Sequence, residues 1–266
     1  MIGTYQEQHD LQTWPNSPTE RTFITHAAGP LDDLRRSVGL PADNGLSLKA
    51  ERAFTSFPES LVPDTDRQEW DKPFRVNTQA ALGEPTAQRP AWVPDNGRPL
   101  VYLTFGTVAG NEVKERDAYQ IAIQALGALP INVLLTTGNN MDKALFTDVP
   151  DNVVVESWVP QSDVFPYASA IVHHCGSGTL IGALAAGLPS VAVPLFADQP
   201  SNAAEIERIG AGVAVFDLDA QSLRSAVMRV IENQSFRAAS EKVAREISSL
   251  PGVEDAVRNI LKVHQT

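Results

Sequence analysis

The chain has 266 residues, 43% hydrophobic and 20% charged, enough for one large domain or for a domain with a substantial extra piece. Its formal net charge of -11 comes without any run of five or six like charges, which excludes a general nucleic-acid or anionic-membrane surface. Cys175 is the single cysteine, so an internal disulfide framework and a Cys-based zinc finger are excluded too.

The opening "MIGTYQEQHDLQTW" has no apolar core of the secretory kind, and no stretch nears the roughly 18 apolar residues that span a membrane. The expectation is a cytoplasmic protein. In residues 1–98 apolar periodicity is thin and proline is frequent. "GPLDDLRRSVGLP" (29–41) predicts one helix, with Leu31, Leu34 and Val38 on one face and Gly39 and Pro41 ending it. "SLKAERAFTSFPESL" (47–61) predicts a short strand running into a turn. "GEPTAQRPAWVPDNGRP" (83–99), with four prolines, reads as a linker.

Beyond residue 97 the pattern turns regular. "PLVYLTFG" (99–106) predicts a buried strand. Residues 112–129 predict a helix with Tyr119, Ile123 and Leu126 along one face. Strands follow at 131–138 and 152–158, then a helical turn at 162–168 broken by Pro166. "AIVHH" (170–174) is the fourth strand and "TLIGALAAG" (179–187) its helix, closed by Gly187 and Pro189. A fifth strand (189–196), a helix (201–210) and a sixth strand (212–216) come next, and three helices end the chain at 220–233, 235–249 and 253–264. Short apolar strands alternating with helices predict an α/β fold, a doubly wound, parallel, six-stranded Rossmann-like sheet. The division expected is 1–82 irregular, 83–98 linker and 99–266 sheet domain.

In such a sheet, ligands sit outside the carboxyl ends of the strands. In "HCGSGTL", Gly176 and Gly178 suit close backbone approach and positive φ, and Ser177 and Thr179 add hydroxyls beside the unpaired N–H groups of a starting helix. The helix dipole adds about half a positive charge there, and His174 can donate to a phosphate oxygen. An ordinary tight turn with two core histidines is the other account of the same residues. A dinucleotide fingerprint would need a third glycine at 181, which is Ile181, and no Walker lysine follows. Asp198 and Gln199 suit vicinal sugar hydroxyls, or else cap the helix that begins near Pro200. Trp158 can stack on a base whose edge the Val159 backbone reads, or can simply cap the core. The two acidic pairs, Asp64 with Asp66 and Asp217 with Asp219, read as ordinary surface, with Asp219 placed to cap a helix, and no metal site is expected.

Together the loops list a base stacker, a diphosphate cradle and a sugar reader in order. "SWVPQSDVFPYASAIVHHCGSGTLIGALAAGLPSVAVPLFADQPSNAAEIERIGAGVAV" resembles the donor-binding domain of GT-B nucleotide-sugar-dependent glycosyltransferases. The bacterial enzymes that glycosylate antibiotics, relatives of the UDP-glycosyltransferases, are the nearest likeness, over about residues 99–264. The resemblance implies that Thr107, His174, Gly176, Ser177, Gly178 and Thr179 hold the diphosphate. It implies that Trp158 and Val159 meet the base, and that Asp198 and Gln199 meet the sugar. The partners it implies are a nucleoside-diphosphate sugar, as substrate and not cofactor, and a small-molecule acceptor such as an antibiotic aglycone. The transfer it implies is metal-independent and inverting.

Two departures from the family pattern matter. Plant relatives carry a ribose-binding glutamate where this chain has Gly182, which favours a dTDP-sugar over a UDP-sugar. Residues 1–98 are too few for a whole acceptor domain and resemble only its tail, so the catalytic base is unassigned and the expected partners include a missing or separate acceptor domain. His9 and His26 lack the context of that base. Three readings stand at this point: a transferase (whole, or its carboxyl-terminal portion and inactive alone), a non-catalytic nucleotide-sugar-binding module, and a sugar-nucleotide epimerase of similar fold. Exposure of apolar surface on the terminal helix 253–264 is also expected.

Overall fold

The computed structural model describes residues 18–42, 54–62, 73–79, 90, 92–106, 113–138, 141 and 145–263. The chain divides into two compact units, one formed by 1–56, 64–76 and 254–266, the other by 57–63 and 77–253. Residues 57–62 and 77–79 therefore pack with the sheet although they precede residue 99. Leu61 is buried with Leu180, Ile181 and Leu184, and Arg208 Nη2 donates to Ser60 O at 2.7 Å. Asp64 and Asp66 lie outside the described residues.

In the first unit, helix α1 spans Pro18–Ser37 and runs through Pro30. It starts eleven residues before the expected 29, with Pro30 inside the helix. Its end is as expected: Gly39 takes φ +81°, and the Leu40 N–H donates back to Arg35 O at 2.9 Å. The expected apolar face is not covered, with Leu34 and Val38 60% and 66% exposed. Strands β1 (Phe54–Thr55) and β2 (Phe74–Arg75) pair in parallel.

The second unit holds six parallel strands: β3 (Leu100–Thr104), β4 (Asn132–Thr136), β5 (Val153–Glu156), β6 (Ala168–His173), β7 (Ser190–Ala192) and β8 (Gly212–Ala214). Their spatial order is β5-β4-β3-β6-β7-β8, so the winding reverses between β3 and β6. Every residue of β3 and β4 is buried, which explains their unbroken apolar runs. The twofold alternation of strands splits them between two faces. Val101, Leu103, Val133 and Leu135 pack with helices α2 (Val113–Gly127) and α6 (Ala220–Glu232). Leu100, Tyr102, Leu134 and Ile171 point the other way, toward Val164 and Phe165. Helices α4 (Ser177–Ala185), α5 (Gln199–Arg208) and α7 (Gln234–Ser249) join through Leu180, Leu184, Ile206, Val243 and Ile247. Tyr119, Ile123 and Leu126 lie buried as expected. The turn at 162–168 resolves into α3 (Gln161–Val164) and a 3₁₀ turn at Phe165–Tyr167.

Helix α4 begins at Ser177, two residues before the expected 179, because Gly178 is taken into its first turn. Strand β7 stops at Ala192, short of the expected 196, and Pro194 has no N–H to extend the ladder. Asp219 caps α6 as expected, accepting from the N–H groups of Gln221 and Ser222 at 2.7 and 2.9 Å. Helix α8 (Val253–Val263) leaves Val253, Val257, Ile260 and Leu261 between 43% and 57% exposed, the exposed apolar surface expected there. No described helix is long and apolar enough to cross a membrane.

Candidate functional site

The loops after β3 and β6 flank the point where strand order reverses, the place where open α/β sheets bind ligands. Thr104 and His173 are register partners at the ends of these strands, so Gly106 and His174 follow side by side. A Cβ built on Gly106 would lie 2.6 Å from the His174 ring, and one on Gly176 would lie 2.4 Å from its Nε2. The half-buried imidazole is thus seated between two glycines of different loops. Any side chain at either position would displace it.

This changes the account of the glycine turn. Gly176 has φ −60°, and Gly178 is not among the positive-φ glycines. Positive φ falls instead on Cys175, at +64°. Gly176 is needed for the ring of His174, whereas a Cβ on Gly178 would meet nothing within 4 Å. Gly178 therefore borders open space at the first turn of α4.

Gly176 is the N-cap of α4 and has no side chain with which to cap it. The N–H groups of Ser177, Gly178 and Thr179 precede the first intrahelical bond, which Leu180 makes to Gly176 O at 3.0 Å. Unpaired donors and a helix dipole beside a seated histidine form an anion-binding arrangement. Thr179 Oγ1 accepts from Gln161 Nε2 at 3.4 Å, a link from the "WVPQ" loop to this helix.

Asn202 is the residue that the sequence reading missed. It is buried, and its Nδ2 donates to Cys175 O and to Asp198 Oδ2, both at 2.9 Å. Asp198 is exposed and does not cap α5 with its side chain. Gln199 is buried, with its Oε1 accepting from the N–H groups of Leu195 and Phe196 at 2.8 and 3.0 Å. Its carbonyl oxygen folds the loop, which leaves the amide Nε2 as the group for a ligand. Ala197, just before Asp198, takes φ +57°.

Trp158 is 59% exposed, so it does not cap the core. Val159 is half-buried against Tyr102, Phe165 and their neighbours. Gly182 is buried, and a Cβ there would meet Phe165, Gln79 and Gln161 at 3.2–3.5 Å. Thr107 lies outside the described residues.

Two titratable groups behind the turn are silent at neutral pH. Burial, reinforced by the neighbouring His174, lowers His173 to about 3. His173 is thus neutral, and its Nδ1 accepts from the Cys175 N–H at 3.2 Å. Burial first, then the Asp198 charge, pushes the Cys175 thiol up, so it is neither a thiolate nor a nucleophile. Among the described residues no group of three or more His, Cys, Asp or Glu could hold a metal ion.

Comparison with known proteins matches residues 120–263 to the family model "Erythromycin biosynthesis protein CIII-like, C-terminal domain". An aclacinomycin-T 2-deoxy-L-fucose transferase of Streptomyces galilaeus is 37% identical over 226 residues, covering 80% of this chain and 49% of that protein. A PGL/p-HBAD biosynthesis rhamnosyltransferase of Mycobacterium bovis is 31% identical over 223 residues, covering 81% of this chain and 47% of that protein. The chain spans about half the length of these curated relatives. Among solved structures, the glycosyltransferase VinC in complex with DTDP superposes with a TM-score of 0.71 at 24% identity, over 96% of this chain and 65% of that one. That likeness shows the fold.

Proposed function

Because the chain belongs to the erythromycin biosynthesis protein CIII-like C-terminal domain family, the carboxyl-terminal domain of bacterial natural-product GT-B glycosyltransferases, we propose that it binds the nucleoside-diphosphate sugar of a glycosyl transfer. The observation that carries this reading is His174, seated between Gly106 and Gly176 at the uncapped start of α4. The diphosphate lies against the N–H groups of Ser177, Gly178 and Thr179, with His174 and the two hydroxyls as further donors. Thr107 completes the cradle from the β3 loop. The base stacks on Trp158 and meets the Val159 backbone. Asp198 accepts from a sugar hydroxyl through Oδ1, since Asn202 engages Oδ2, and Gln199 donates through Nε2.

In the transfer, an acceptor hydroxyl attacks the anomeric carbon from the face opposite the leaving group, so configuration inverts. Negative charge grows on the departing diphosphate, and fixed donors aimed at it lower the barrier without a metal. The acceptor is a small molecule such as an antibiotic aglycone. Its proton goes to a base outside the site residues named here. Gly182 brings no carboxylate to the ribose, which favours dTDP-sugars over UDP-sugars.

The test is calorimetric titration of the purified chain with dTDP and with UDP, beside a His174→Ala variant. The expected result is binding of dTDP, tighter than UDP, with a loss on the order of 100-fold in the variant. A folded wild-type chain that binds neither nucleotide would refute the reading.

A further inference from the structure

The turn that presents the diphosphate donors hangs on one strained residue. Cys175 sits in the left-handed region at φ +64°, which is strained for a non-glycine residue and persists only where its surroundings hold it. Both of its backbone polar groups are engaged by buried side chains. Its N–H donates to Nδ1 of fully buried His173 at 3.2 Å, and its carbonyl accepts from Asn202 Nδ2 at 2.9 Å.

We infer that Asn202 and His173 are positioning residues that clamp the Cys175 peptide and so aim the N–H groups of Ser177–Thr179 at the ligand. This rests on the donor-site reading above. The same Asn202 nitrogen gives its second hydrogen to Asp198 Oδ2 at 2.9 Å. One buried amide therefore fixes the relative position of the diphosphate turn and the sugar-reading loop, which come from different strands. The chemistry is selective: the two acceptors take two hydrogens from one nitrogen, which a primary amide supplies and an ionised aspartate or a hydroxyl does not. Neutral His173 completes the clamp by offering a bare Nδ1 to the N–H side.

Asn202→Asp keeps the shape, removes both donors and sets a second carboxylate against Asp198. With the full chain, dTDP and UDP are titrated by calorimetry, thymidine and uridine by ligand-observed NMR, and the fold is followed by circular dichroism. The expected result is a diphosphate affinity about 10- to 100-fold weaker, the range seen when outer partners of a binding group are removed, with nucleoside binding unchanged. Asn202→Ala, which adds no charge, is expected to show the same split. Equal loss for nucleoside and diphosphate, no loss for either, or unfolding of both variants would overturn the clamp in favour of a purely structural Asn202. A wild-type chain that binds no nucleotide overturns the donor site itself, and the clamp with it.

Discussion

At the amino-terminal edge of the sheet, polar side chains are turned inward. Asn152 Nδ2 lies 3.0–3.3 Å from the carbonyls of Leu126, Leu129 and Ile131. Asn96 and Asn132 exchange hydrogen bonds of 2.8 and 3.1 Å through their amides. A hollow of about 450 Å³ opens there beside Trp92 and Arg98, but its asparagines already serve the backbone. At the carboxyl-terminal edge, the same strands lead into left-handed Cys175 and Ala197, an uncapped helix start and exposed Trp158. At one edge these asparagines spend their amides on neighbouring groups of the chain, and at the other donors are left outward, with strain held behind them. That contrast, more than the presence of a hollow, locates function.

Two glycines, one on each side, break the contrast most sharply. A Cβ on Gly176 would sit 2.4 Å from His174 Nε2, and one on Gly127 would sit 2.3 Å from Pro150 Cγ. Gly176→Ala is expected to lower dTDP affinity on the order of 100-fold by displacing the imidazole. Gly127→Ala is expected to cost about 1–3 kcal/mol of stability by overpacking and to leave binding unchanged. Chemical denaturation and calorimetry on both variants check the crossed pattern.

A smaller effect follows from His173, which the fold holds neutral. Its folded pKa, about 3, lies below the ordinary value of 6.5. The unfolded chain therefore binds a proton first on acidification. Its contribution is fully present above about pH 6.5 and falls by about 1.4 kcal/mol per unit down to about pH 3. His173→Leu is expected to flatten that part of the stability–pH curve, measured by urea unfolding between pH 7 and 4.5. An unchanged slope would contradict the burial account.

The order of elements in the sheet domain was legible because β3, β4 and β6 are buried on both faces and read as short apolar runs. Helix starts were less so. Gly176 and Gly178 look like loop, yet one is the residue from which α4 starts and the other lies inside it. Proline misled at α1, where Pro30 is interior. Trp158, Asp198 and His174 could be picked from their residue types and positions at strand ends. The seat of His174 could not, because its two glycines come from β3 and β6, strands that are neighbours in space and distant in sequence. Asn202 shares that origin, since its amide reaches Cys175 O in another loop, whereas the inward turn of the Gln199 carbonyl is local to Leu195 and Phe196 and leaves no periodic signal.

Hydrogen exchange read by mass spectrometry, with and without saturating dTDP, tests the central claim most directly. The account predicts slower exchange in peptides covering 173–180 and 196–202, with no change across 92–98 and 150–154. Protection confined to the amino-terminal edge would contradict it.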